Sequence, residues 1–290
     1  VIIIRKQFAK VIRFFKSDLV KEIISSAWPI ALLVVIGIFM TNIDILMLGF
    51  LKTNQEVGLY SAGQRIIQIF YTLPAIIATS FFPVISRFVG QRDNAKAKLL
   101  IEKGLTAVLL IGLPLIVGGI ILGKDVIFLL YGAEYLPATL SFQILILNIL
   151  FVFPSYLIGN YIFAYDQQKR VAPYLMVGGV ANVVLNFLLI PVYGIAGAAF
   201  ATLCAQALYQ SLSFSLAKKI NNFYIIRYLK KITFSAVVMG LASYALSFIG
   251  LNVIINIVIS GLIYFGILYL IKEAIIQEMA GMLFKKSISS

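Results

Sequence analysis

The sequence lacks histidine and contains a single cysteine, Cys204. One cysteine excludes disulfide bonds within the chain, and the His and Cys ligand sets of zinc, haem and iron–sulfur centres are missing. No nucleotide-binding loop of the form GxxxxGK followed by Ser or Thr occurs either, so ATP bound to this chain does not drive any transport. We expect no metal and no cofactor, and we interpret Cys204 as a small packing residue.

Charged residues make up only 12% of the sequence, about half of the roughly 25% that is usual in soluble domains. Hydrophobic residues make up 61%, and the mean hydropathy is +1.01. These values predict an integral membrane protein. Apolar runs that reach the roughly 18 to 20 residues needed to cross a bilayer occur at 26–50, 58–84, 99–122, 138–164, 171–190, 194–216, 229–249 and 252–271. The predicted fold class is therefore all-α, a polytopic membrane bundle of eight transmembrane helices.

Acidic residues are outnumbered, since 11 Asp and Glu stand against 24 Lys and Arg and give a net charge of +13. In a soluble protein such a charge suggests nucleic acid, but here the basic residues gather in alternate loops, which is the pattern of cytoplasmic loops. We expect no nucleic acid partner. The pattern predicts a multi-pass protein of the cell membrane. Both termini and the loops near 92, 168 and 224 are expected to be cytoplasmic, and the loops near 54, 130 and 193 to face outward.

Two charges fall inside predicted spans, Asp44 and Arg65. A charged side chain at membrane depth costs roughly 2.5 to 3.5 kcal/mol on insertion scales and usually faces a bundle interior. Each lies about 10 Å from the turn between the first two spans, at ~1.5 Å per residue, so an ion pair is feasible if the helices are antiparallel neighbours. Two interpretations stay open. The charges neutralise each other and fix helix register, or they line a polar cavity and contact a charged substrate or serve a conformational switch.

Amide side chains recur inside the predicted spans. Those taken as candidate substrate-binding or cavity-lining residues, beside Arg65 and Asp44, are Asn42, Gln64, Gln68, Asn160, Asn182, Asn186 and Gln206. Asn182 and Asn186 are four residues apart and therefore share a helix face. Such side chains either join helices, at roughly 0.6 to 2 kcal/mol per hydrogen bond, or line a hydrated cavity.

Five segments carry a family resemblance. They are NIDILMLGF, EVGLYSAGQRI at 56–66, LPAIIATSFFPVISR at 73–87, LYGAEYLPA at 130–138 and NVVLNFLLIPVYGIAGAAFAT at 182–202. In this order they resemble the oligosaccharide flippases, also called polysaccharide biosynthesis or O-antigen transporter proteins, of the superfamily of multidrug exporters and lipid flippases. The resemblance runs over most of residues 20–270.

The resemblance implies two six-helix lobes around a central cavity, of which this chain supplies the second. The expected domains are a basic amphipathic cytoplasmic connector at 1–22, the C-terminal six-helix lobe at 23–218, two additional transmembrane helices at 219–272 and a cytoplasmic tail at 273–290. The basic, amphipathic start also suits a helix lying on the inner leaflet. The chain is then a C-terminal portion, and its expected partners are the lipid bilayer and the missing N-terminal lobe of the same protein.

The resemblance also implies a function. It is that of a flippase that moves a polyprenyl-pyrophosphate-linked oligosaccharide from the cytoplasmic to the outer leaflet by alternating access. Arg65 is the implied contact for the pyrophosphate, which suits the fixed donor fork of arginine. The alternative is an ion-coupled multidrug exporter of the same superfamily, because a shared fold does not name the cargo. We predict no enzyme; an enzyme acting on lipid-linked sugars is the rival from another class, with Asp125 and Glu134 as its modest candidates.

Overall fold

The computed structural model describes residues 17–224 and 226–278 of the chain. Within these ranges the chain is helical and contains no strand. The α-helices are α1 Ser17–Leu51, α2 Asn54–Phe70, α3 Thr72–Gly90, α4 Asn94–Tyr131, α5 Thr139–Ile146, α6 Ile149–Ala164, α7 Ala172–Ile220, α8 Ile226–Phe248 and α9 Val253–Leu270, with short 3-10 helices at Ala133–Ala138 and Gln168–Arg170. The all-α prediction is confirmed. Most of the predicted connector, residues 1–16, and the end of the predicted tail, residues 279–290, lie outside the described residues.

The chain divides into two compact units, Val1–Ile43 and Asp44–Ser290. The described part of the first unit belongs to helix α1. The second unit holds the last turns of α1 and all later helices, and everything that follows concerns this unit unless the first is named.

Polar caps explain where several helices begin. Thr53 and Glu56 form a capping box at the start of α2, in which each side chain accepts a hydrogen bond from the backbone N–H of the other, satisfying donors that the helix leaves unpaired. Asp93 accepts from the Lys96 backbone N–H at the start of α4. Hydrogen bonds from the Lys96 side chain and backbone also lower the pKa of Asp93. Asn252 caps α9 in the same way, through Ile254.

Helix α7 folds back on itself at Gly194. This residue has φ 56° and ψ −134° inside an otherwise helical run, a backbone conformation that glycine adopts without the steric cost of a Cβ atom. The Asn182 side chain, twelve residues before the turn, reaches the hydroxyl of Thr202, eight residues after it, at 3.4 Å. Because a straight helix would hold these residues about 30 Å apart, α7 consists of two antiparallel limbs. They correspond to the predicted fifth and sixth spans.

Two predicted spans are broken in the structure. The predicted second span is interrupted at Tyr71, where α2 ends and α3 begins shortly before Pro74. The predicted fourth span is bent by 42° between α5 and α6. A proline six residues further on, Pro154, lies inside α6 and not at the break, so proline alone did not locate this bend in the sequence.

Two apolar cores hold the helices together. The larger core is formed by all helices from α2 through α7 and includes Tyr60, Leu105, Phe142 and Phe153. A second core contains Leu110 of α4 with Ile232, Ala236 and Met239 of α8 and Tyr264 and Leu268 of α9. The helices α8 and α9 therefore pack on α4.

The helices that can cross a membrane were identified by length and composition within the described residues. Five qualify, Asn54–Gly90, Asn94–Tyr131, Gln168–Ile220, Leu229–Phe248 and Val253–Leu270, or six if the bent pair Ala133–Ile146 and Ile149–Ala164 counts as one span. The chain is thus a multi-pass membrane protein. The count of eight spans stays a prediction. Gln168–Ile220 is counted here as one candidate span, although α7 within it consists of two helical limbs.

Candidate functional site

Asp44 is the centre of a buried polar cluster. Its side chain is 2% exposed and accepts three hydrogen bonds, all from neutral groups. Tyr60 of α2 donates its hydroxyl to Oδ2 at 2.9 Å, Asn186 of the first α7 limb donates Nδ2 to Oδ1 at 2.6 Å, and Thr202 of the second limb donates Oγ1 to Oδ2 at 2.5 Å. Four helical segments therefore meet at one carboxylate.

Asn182 joins these residues and completes what we call the Asp44 cluster: Asp44, Tyr60, Asn182, Asn186 and Thr202. Its Oδ1 accepts from Asn186 Nδ2 at 3.1 Å, and its Nδ2 donates to Thr202 Oγ1 at 3.4 Å. The four-residue spacing places both asparagines on one face of the first α7 limb, and the turn at Gly194 brings Thr202 opposite them. One acceptor, Asn186 Oδ1, is buried without a hydrogen-bond partner.

The chemistry of the Asp44 cluster follows from its unbalanced charge. Burying an ionised carboxylate is costly unless it is paired, and the three donors supply hydrogen bonds but no positive charge. Carboxylate, amide and hydroxyl oxygens are ligands of hard cations, and a carboxylate can also take up a proton. The Asp44 cluster can therefore become neutral in two ways, by binding a cation or by protonation of the carboxylate. Among the described residues, no group of three or more His, Cys, Asp or Glu side chains could hold a metal ion.

Arg65 is exposed and stands apart from Asp44. Helix α2 buries the face that carries Leu59, Tyr60 and Ile66, whereas Arg65 belongs to the opposite, exposed face. Within the described ranges, the ion pairs are Lys96 with Asp93 and Lys103 with Glu278. The interpretation of Asp44 and Arg65 as an ion pair that fixes helix register is therefore wrong for this structure, because Tyr60, one and a half turns earlier on α2, occupies the carboxylate instead.

The other predicted site residues are scattered. Asn42 belongs to the first unit, where its side chain donates to the Ile38 carbonyl oxygen at 2.8 Å. Gln64 is half-buried and Gln68 exposed on α2. Asn160 of α6 donates to the Ala78 carbonyl oxygen of α3 at 2.9 Å and so joins two helices.

Gln206 is half-buried on the second α7 limb. It accepts from Gln210 at 3.4 Å. Of the predicted residues, the structure thus brings together Asp44, Asn182 and Asn186, all of them buried.

Two members of the Asp44 cluster were missed in the sequence. Tyr60 follows Gly58 and Leu59 in an apolar segment, and an aromatic residue there is typical of a core. Thr202 lies in the small-residue run AGAAFATLCAQA, which indicates close helix packing. Thr202 could have been recognised, because it is a polar residue within that run and it faces Asn182 once the chain reverses at Gly194.

The helices expose large hydrophobic side chains and enclose a polar cluster. These features define the class, a multi-pass membrane bundle with a buried carboxyl group. The family emerges from comparison. Residues 2–140 match the model of a family described as polysaccharide biosynthesis protein. The sequence is 30% identical over 169 residues to the "Probable flippase AglR" of Haloferax volcanii, a match that covers 57% of this chain and 35% of that protein. The predicted resemblance is confirmed: the chain is similar to the polysaccharide biosynthesis family over residues 2–140 and to a protein described as a probable flippase.

Solved structures share the fold. A structure of the lipid II flippase MurJ in an inward closed conformation superposes with a TM-score of 0.77 at 20% identity, covering 91% of this chain and 57% of that one. An outward-facing multidrug resistance transporter of the MATE family and MOP superfamily gives a TM-score of 0.58 at 16% identity, covering 81% and 62%. At these identities the likeness concerns the fold. The chain spans about a third of the length of its flippase relative.

Proposed function

We propose that this chain is one lobe, with two additional helices, of a flippase that moves a polyprenyl-pyrophosphate-linked oligosaccharide from the cytoplasmic to the outer leaflet of the cell membrane. The N-terminal lobe of the same protein is the proposed partner, and both ends of this chain are cytoplasmic. A sugar headgroup and a pyrophosphate do not cross hydrocarbon unaided. The match to polysaccharide biosynthesis proteins and to a flippase favours this cargo over the drugs of the multidrug alternative.

The exposed Arg65 is the observation that carries the proposal. It lies eleven residues after the start of α2, about 16 Å along the helix, and therefore at membrane depth within the candidate span Asn54–Gly90. A cation at that depth normally faces protein or a hydrated pathway and not lipid. With no carboxylate in an ion pair with it among the described residues, Arg65 is available for the phosphate groups of a substrate.

A row of exposed polar side chains continues from Arg65 along the same helices. Gln68 lies one turn further on α2, and α3 adds Thr72, Thr79, Ser80 and Arg87, all exposed. Polar groups on an otherwise apolar span indicate a face that contacts water or protein. We place the substrate cavity along this face, with Gln64, Gln68 and Gln206 as further contacts.

In this proposal the Asp44 cluster couples energy to transport and does not touch the sugar. Asp44 is buried behind α2 on the face opposite Arg65, so it responds to a proton or a cation and not to the cargo. Alternating access in transporters built of repeats needs such a two-state element, whose occupancy shifts the balance between open states.

The test reconstitutes the full-length protein in vesicles with labelled lipid-linked oligosaccharide and measures its arrival in the opposite leaflet. Arg65→Gln should slow transfer at least about tenfold, the effect of losing one charge-assisted hydrogen bond of roughly 1.5 to 3 kcal/mol, and Arg65→Lys should retain part of the rate. Arg170→Gln is the matched control, because it removes the same charge from an exposed position in the loop near 168, away from this face. No transfer above protein-free vesicles, together with efflux of small cationic drugs, would overturn the proposal in favour of the multidrug alternative.

A further inference from the structure

Two lysines converge on one tyrosine ring where α7 passes into α8. The ammonium nitrogen of Lys98, in the second turn of α4, is 5.1 Å from the centroid of the Tyr224 ring. That of Lys218, in the last turn of α7, is 5.6 Å from the same centroid and 5.8 Å from the ring of Phe214. Aromatic faces attract such cations, so both ammonium groups are held beside the same exposed side chain.

Two hydrogen bonds join the loop that carries Tyr224 to α4, and a third lies within the loop. Glu102 of α4 accepts the Tyr224 backbone N–H at 2.7 Å. Asn221 donates to the Asn94 carbonyl oxygen at 2.8 Å, and Asn222 donates to the Tyr224 hydroxyl at 2.9 Å. The ring is therefore positioned before any ligand arrives, and ordering a ligand there costs little rearrangement of the protein.

Neither ammonium group forms an ion pair within the described residues, where the ion pairs use Lys96 and Lys103. Glu102, the acidic residue nearest to Lys98 in sequence, is 8% exposed. Its Oε1 accepts the hydrogen bond from the Tyr224 backbone N–H. Two like charges beside one ring, neither in an ion pair among the described residues, favour an anion between or above them.

We propose that Lys98, Lys218 and Tyr224 form a binding site for the phosphate of an anionic phospholipid headgroup. The site lies at the ends of two candidate membrane spans, Asn94–Tyr131 and Gln168–Ile220, and therefore at headgroup level. Tyrosine is enriched at that level, and basic pockets between spanning helices bind lipid headgroups. The side chain of Tyr224 is 57% exposed, which leaves its ring accessible from the bilayer surface.

This site and the proposed transport cavity are formed by different elements. The two lysines and Tyr224 belong to the start of α4, the end of α7 and the loop after it, whereas the row of exposed polar side chains that begins at Arg65 belongs to α2 and α3. A resident lipid would instead clamp the start of α4 to the end of α7 from outside. The inference does not depend on which cargo is carried.

The experiment titrates the full-length protein in detergent with phosphatidylglycerol and counts bound lipid by native mass spectrometry, with phosphatidylcholine as the uncharged comparison. We expect the affinity for phosphatidylglycerol to fall about fivefold in each of Lys98→Gln and Lys218→Gln, and roughly 25-fold in the double variant. This is the contribution that one lysine makes to binding near anionic lipid. Lys98→Arg with Lys218→Arg should keep the binding. The matched control is Lys169→Gln with Lys272→Gln, two exposed lysines predicted to lie on the same membrane side.

Three results would overturn the proposal. One is unchanged phosphatidylglycerol binding in the double Gln variant. Another is an equal loss in the control pair, which would show a general attraction to basic surface instead of a site. The third is displacement of the lipid by millimolar inorganic phosphate, which would assign the lysines to a soluble anion.

Discussion

The Asp44 cluster and a second buried network, in the last two helices, are built from the same residue types but differ in charge. We call the second one the Asn256 cluster: Ser243, Asn256 and Ser260. Ser243 and Ser260 donate their hydroxyls to Asn256 Oδ1 at 3.1 and 2.9 Å, and Asn256 returns Nδ2 to the Ser243 carbonyl oxygen at 2.9 Å. All three residues are neutral and each finds a partner within α8 and α9.

The comparison separates two uses of polar groups inside an apolar bundle. In the Asn256 cluster the three side chains bond one another and join two helices, which is the behaviour of a hydrogen-bonded helix contact. The Asp44 cluster joins four helical segments, keeps a carboxylate without a counter-ion and leaves Asn186 Oδ1 unpartnered. Buried polar groups that remain partly unsatisfied call for an explanation, and of these two clusters the Asp44 cluster is the one that contains such a group.

The sharpest way to break this comparison is Asp44→Asn, which changes the charge and hardly the volume. We expect the largest effect here: loss of transport by the full-length protein, with folding weakened by about 1.5 to 3 kcal/mol as hydrogen bonds to a charged group are lost. Transfer of labelled lipid-linked oligosaccharide and thermal unfolding in detergent measure the two effects. Asp125→Asn is the matched control, since Asp125 also accepts from a serine, Ser247 at 3.4 Å, but away from the cluster.

Exchanging the two charges extends this prediction. Asp44 accepts hydrogen bonds from Tyr60, Asn186 and Thr202, and the ion pairs of the described residues do not include Arg65. The double variant Asp44→Arg with Arg65→Asp should therefore be as inactive as Asp44→Asn alone. Recovery of transport in the exchange variant would show that the two charges meet in another state of the cycle.

Much of the fold could be predicted from the sequence because a bilayer imposes long apolar runs. The two closing helices were expected at 229–249 and 252–271, and lie at Ile226–Phe248 and Val253–Leu270. The turn at Gly194 follows from a glycine between two apolar runs. The break between α5 and α6 could not be placed, because no glycine or proline stands at residues 147–148.

The sequence pointed to three of the five residues of the Asp44 cluster, but not to their hydrogen-bond partners. Asp44, Asn182 and Asn186 were recognised as polar groups at membrane depth, and the structure brings them together. Equal heights of Asp44 and Arg65 suggested an ion pair, but height along two helices does not fix their rotation. The rotation of α2 is set by Leu59, Tyr60 and Ile66, which pack inward and carry Arg65 to the other face.

A moderate effect is expected from Asn256→Leu, which removes the centre of the neutral network. Ser243 and Ser260 lose their shared acceptor, and membrane hydrogen bonds of about 0.6 to 1.7 kcal/mol each predict that unfolding becomes easier by roughly 1 to 2 kcal/mol. Thermal unfolding of the full-length protein measures this loss, and Ser260→Ala should show a smaller one. Transport at a temperature where the variant is folded should match the parent, and a transport defect there would erase the distinction between the two clusters.

The smallest effects, and the closest comparison, come from two fully buried tyrosines. Tyr60 donates to Asp44 at 2.9 Å, and Tyr264 donates to the Leu110 carbonyl oxygen at 2.7 Å. That carbonyl needs a donor because the residue four positions later is Pro114, which has no N–H.

Each change to phenylalanine deletes one hydroxyl and should lower stability by about 0.5 to 1.5 kcal/mol, as measured by thermal unfolding of the full-length protein. The two variants should nevertheless differ in transport. Tyr264→Phe removes the hydrogen bond to the carbonyl that Pro114 leaves without a helical donor and should leave the rate unchanged. Tyr60→Phe removes the one hydrogen bond between α2, which carries Arg65, and the carboxylate of Asp44. Transport should therefore slow in Tyr60→Phe, and its dependence on pH or on the coupling cation should shift. Equal rates and equal ion dependence in the two variants would mean that Tyr60 only holds helices together, as Tyr264 does.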